Sequence, residues 1–162
     1  MSFRRTTRLR LMRTALLENP TTSLEADNEA ESIFVQGLAR VLHQQDFSGA
    51  LEKFREARDL FQGPAERGIC LIEESHIHSL LGQSASAIAA LKQAREYFPL
   101  ERKELRGEAS FILARLLSGR GQFDDALAEH IESKSYYEYK ESLDLSDYYG
   151  FETWIQEKRS DF

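Results

Sequence analysis

The chain has 162 residues, 41% of them apolar and 30% charged, with a formal net charge of −6. That supports one domain with a continuous core, and no run of eighteen apolar residues is present to span a membrane. The single cysteine excludes an internal disulfide and, with no secretory signal pattern, the chain is expected in the cytoplasm.

Charge is unevenly placed from the start. Residues 1–17 hold five of the 21 basic residues (Arg4, Arg5, Arg8, Arg10 and Arg13) and no acid. Residues 18–162 therefore carry sixteen bases against 27 acids, a net −11. Leu9, Met12 and Leu16 fall at helical spacing and Asn19-Pro20 stops the pattern, so residues 1–21 form a basic arm. Three readings of the arm stay open. It contacts the phosphates of a nucleic acid or an anionic membrane surface, or it is an organelle transit peptide. Alternatively, it docks its apolar stripe on the rest of the chain and its arginines on acidic neighbours.

Thr22-x-x-Glu25 has capping-box form and predicts a long helix through Ala30, Phe34 and Leu38 to about Gln44. A partner helix over about 48–62 carries Ala50, Leu51, Phe54, Ala57 and Phe61 on one stripe, and Gly63-Pro64 ends it. A second pair spans about 65–81 and 85–98 and closes at Pro99. Glu74, Ser75 and His78 make its first helix polar on the inner side. A third pair spans about 100–118 and 124–140 around the break Ser118-Gly-Arg-Gly121. The segment 142–162, with a helix over about 146–158, covers the last apolar face. Tyr148, Tyr149, Phe151, Trp154 and Ile155 are more than one face requires.

The pairs are copies of one another. A shift of 39 maps Arg106-Gly107 onto Arg67-Gly68, Gly121-Gln122 onto Gly82-Gln83, and Tyr136-Tyr137 onto Tyr97-Phe98. A shift of 37 then maps Ala94-Arg95 onto Ala57-Arg58. With small residues at Ala39, Ser75 and Ala114 in the first helices, and at Ala50, Ala87 and Ala126 in the second, residues 31–137 resemble the tetratricopeptide repeat family. Ala57, Ala94 and Ser133 extend the resemblance, and small residues at these places let two helix backbones cross closely. The period departs from the family's usual 34 or so residues, and no Trp opens a first helix. The resemblance implies an all-α superhelix of three helical hairpins over residues 22–141, between the basic arm and a C-terminal capping helix.

Catalytic and metal constellations are weak. His76 and His78 stand two apart, about 200° around a helix, so both cannot grip one ion. Cys70 has no base beside it, and no phosphate loop or nucleophile motif appears. No enzyme activity, cofactor or metal is expected. The resemblance instead implies that the first helices line a concave groove. Arg40, His76 and Arg115 then share one register, Gln36, Ile72 and Phe111 the turn before, and His43 the turn after, with Trp154 in line with Arg115. Such a groove suits a protein or peptide partner with acidic groups and apolar anchors, Val35 adding apolar contact. The expected function is a non-catalytic adaptor or scaffold. The alternatives are a dedicated chaperone for a secreted partner, or a regulator whose basic arm contacts nucleic acid or membrane.

Overall fold

A computed structural model describes residues 2–19, 24–140 and 143–161, the side chains of 2–5 excepted. Among these residues all regular structure is helical, in nine helices, and none is long and apolar enough to cross a membrane. The chain divides into two compact units, Met1–Tyr97 and Phe98–Phe162.

The first unit contains α1 (Ser2–Glu18), α2 (Glu29–Leu42), α3 (Phe47–Leu60), α4 (Pro64–Leu80) and α5 (Ser84–Tyr97). Successive helices from α2 to α5 pack on one another, while α1 packs against α2 and α4. The predicted start of the second helix is corrected. Residues 24–28 are not helical, and Thr22 lies outside the described residues. The helix starts at Glu29, where Asn28 Oδ1 accepts from the Glu31 N–H at 2.9 Å. Asn is at least as good a cap as Thr, and the acids Glu29 and Glu31 then fall in the first turn, where the helix dipole favours them. Asp46 caps α3 by accepting from the Gly49 N–H at 3.0 Å, and Pro64 opens α4 where its missing N–H costs nothing. Gly82 turns the chain from α4 to α5 at φ +73°, a conformation open to glycine. Phe34 and Phe54 meet edge-on at 5.3 Å in the core. Ala50, Ala57, Ala87 and Ala94 are fully buried.

The second unit contains α6 (Lys103–Gly119), α7 (Phe123–Glu132), α8 (Lys134–Tyr139) and α9 (Leu145–Ser160). The single helix predicted over 124–140 is in fact two. The break falls at Ser133: its Oγ donates to the His130 carbonyl at 2.6 Å, and its ψ of −6° is displaced from the regular helical value while φ stays at −79°. A serine hydroxyl offers the backbone this local alternative to the helical bond. The break lets α8 turn onto α6 while α7 also packs on α6, and α9 packs on α7 and α8. The α6–α8 approach is close. A Cβ on Gly107 would lie 3.0 Å from the Tyr136 backbone nitrogen and 2.5 Å from Ser135 Oγ. Asp144 and Asp147 form a reciprocal capping box at the start of α9, and Arg159 Nε near its end donates to Asp124 Oδ1 at 2.6 Å.

Candidate functional site

In the first unit, the basic arm is a docked helix. Thr6, Leu9, Met12 and Leu16 of α1 are buried, within about 120° of one another at ~100° per residue. Arg8 and Arg13 lie on either side of its apolar residues Leu9, Met12 and Leu16, about 140° apart by the same measure. Arg8 Nε donates to Glu31 Oε1 of α2 at 2.8 Å, and its Nη2 reaches the Glu25 carbonyl at 2.6 Å and Asp27 Oδ1 at 3.3 Å. Arg13 Nε donates to both carboxylate oxygens of Glu73 on α4, at 3.0 and 3.2 Å. Glu31 and Glu73 are only 4% and 5% exposed, so each arginine neutralises a carboxylate that has left water. Glu31 Oε2 also accepts from the Asp27 N–H at 2.8 Å. Arg10 is half-buried and engaged, and the side chains of Arg4 and Arg5 lie outside the described residues.

Behind Glu73, α4 buries two further acids. Glu74 pairs with Arg55 Nε at 3.2 Å and Arg58 Nη1 at 2.9 Å on α3. Burial pushes its carboxyl above the ordinary range, and the two arginines only partly offset this. Glu66 is 1% exposed, with Oε2 lacking a hydrogen bond. Cys70 lies among these groups, fully buried. Burial first, then the carboxylates of Glu74 and Glu73, push its thiol well above the usual value, so it is an unreactive core residue.

The residues predicted to line a groove fare differently. Gln36 and His43 are exposed, while Val35, Arg40 and His76 are half-buried. Arg40 Nη1 pairs with Asp46 Oδ2 at 3.2 Å, and His76 is also engaged. The expectation of Ile72 as an apolar contact is corrected, since it is only 2% exposed. Residues 68–75 are buried without interruption because α1, α3 and α5 all pack on α4. Arg40 and Glu31 stand about 180° apart around α2, so the side of α2 that holds α1 is not the side that carries Arg40.

In the second unit, Phe111, Arg115 and Trp154 belong to one cation–aromatic set. The exposed Arg115 guanidinium lies over the Phe111 ring at 3.9 Å and the Phe151 ring at 4.6 Å, and donates to the Tyr137 hydroxyl at 3.3 Å. Phe151 stacks on Trp154 at 5.6 Å, and Trp154, 40% exposed, meets Phe123 edge-on at 6.0 Å. Beneath this set lies His130, fully buried. It stacks on Tyr148 at 4.2 Å and donates from Nε2 to the Tyr148 carbonyl at 2.9 Å. Its Nδ1 is buried without a partner. Burial lowers its pKa, against the pull of the Tyr148 carbonyl and the Glu152 carboxylate. Sequence register found Phe111, Arg115 and Trp154 but missed Phe151 and His130 as their neighbours. The surplus of aromatic residues in the last helix was the available signal. Comparison of the chain with known proteins gives no matching family model and no matching curated protein.

Proposed function

We propose that the chain is a non-catalytic, tetratricopeptide-like interaction module that holds a segment of another protein. The observation that carries this reading is the platform of the second unit. An exposed guanidinium is held flat by two rings and a hydroxyl, beside a tryptophan that is 40% exposed. Arginine, tryptophan and tyrosine concentrate binding energy at protein interfaces, and a side chain already fixed by its neighbours loses little further entropy on binding. The stacked guanidinium still offers N–H donors to a carboxylate of the partner, and Trp154 and Phe111 offer apolar contact. Three helix pairs, α2 with α3, α4 with α5 and α6 with α7, support the repeat architecture of the proposal.

The test is capture of partners on the tagged full chain beside Arg115→Glu and Trp154→Ala variants whose helicity is verified. A partner held by the wild type and lost from both variants is the expected result. Retention indifferent to both substitutions overturns the assignment of this surface.

A further inference from the structure

We propose that the acid-lined side of unit 1 formed by α2 and α4 is a docking site for a basic amphipathic helix of a partner protein. In this proposal α1 is an internal stand-in that the partner displaces. Four observations lead there. The pairs α2–α3, α3–α4 and α4–α5 pack directly on one another, and α1 packs against α2 and α4. Residues 24–28, which lead into α2, hold no helix. The side that α1 covers presents buried carboxylates to it, Glu31 on α2 and Glu73 on α4. Buried ion pairs contribute little net stability but select strongly for a matching charge. Finally, α1 itself records what the site accepts. Leu9, Met12 and Leu16 enter the apolar seam, with Arg8 and Arg13 set to either side to meet one carboxylate each.

The recognition pattern is therefore arginine and an apolar residue in succession, a second apolar residue and arginine one turn later, and a third apolar residue one turn beyond. A helix laid in a groove is read through such anchors. Because α1 occupies the site in the free chain, a partner sees only the fraction of molecules in which α1 is away, and its apparent affinity is lowered by that fraction. This surface is independent of the Arg115 platform, which belongs to the other unit, so either proposal stands or falls alone.

The probe is a fluorescently labelled peptide of residues 2–18, titrated against the full chain by anisotropy. The wild type should bind it weakly. Leu9→Asp, which drives α1 from the seam, should tighten peptide binding at least tenfold with helicity retained. Arg8→Ala/Arg13→Ala in the full chain should act in the same direction and serves as the deciding variant if Leu9→Asp does not fold. Adding Glu31→Gln/Glu73→Gln should erase the gain, and a peptide with both arginines replaced by glutamate should not bind. Equal binding by wild type and loosened chains, or none by a loosened and folded chain, overturns the proposal. Loss of the cooperative melt in both loosened chains overturns it too, because α1 is then an integral part of the core. A loosened chain that dimerises through α1 of a second copy replaces the partner helix by the chain itself and also overturns it.

Discussion

The imidazole of His130 is neutral in the folded chain, its Nε2–H committed to the Tyr148 carbonyl while Nδ1 is buried without a partner. Its pKa is lowered by burial, so the unfolded chain binds the additional proton more readily. Stability is complete above the unfolded value, about 6.5, and declines as pH falls below it. Burial, the largest influence, places the window on the acid side of neutrality, with Glu152 favouring the protonated ring and Arg115 opposing it. Tryptophan-detected melts should show Tm level above about pH 6.5 and falling from there towards about pH 5.5 in the wild type. His130→Gln keeps an N–H for the carbonyl without titrating, and should show a smaller fall. Parallel falls in the two proteins would place the acid sensitivity elsewhere. Gly107 belongs to the same scale. Its missing Cβ is what permits the Tyr136 backbone to approach α6, so Gly107→Leu should lower stability by about 1–3 kcal/mol in a thermal melt.

Among the elements, the start of α2 rests on one side chain. Asn28→Ala removes the acceptor for the Glu31 N–H and should cost about 1 kcal/mol, read as a lower melting midpoint of the first unit. The helix pairs were legible because their signals are local. Alanines at 50, 57, 87, 94 and 126 are all fully buried, and the turns fall at Gly82 and Gly121, both at positive φ. The break at Ser133 was not legible. A serine inside a helical pattern is compatible with a continuous helix, and only the packing of α8 on α6 decides which path the chain takes. The arginine partners of α1 were hidden for a different reason. Glu31 lies 23 residues from Arg8 and Glu73 lies 60 from Arg13, distances over which no helical period carries information. Of the groove register, Arg115 and Trp154 prove to share one surface with Phe111. The burial of Ile72 depends on three helices converging on α4, which no single repeat reveals.

For the whole molecule, the testable quantity is how the two units answer to damage in one of them. Ala87 in the first and Ala126 in the second are both fully buried at helix contacts, and replacing either with leucine overfills its site, at about 1–3 kcal/mol. The chain distributes its reporters to suit this test. Its one cysteine, Cys70, is sealed inside unit 1, and its one tryptophan, Trp154, lies in unit 2. A disulfide reagent reaches Cys70 only when unit 1 opens, so the labelling rate is a clock for that event alone. Indole emission follows unit 2 over the same denaturant series. Ala87→Leu should speed the labelling of Cys70 and leave the emission midpoint in place, while Ala126→Leu should do the reverse. A substitution that moves both readings together would mean that the units open as one. With one thiol and one indole, the chain thus carries a two-channel readout of its own opening without any added residue.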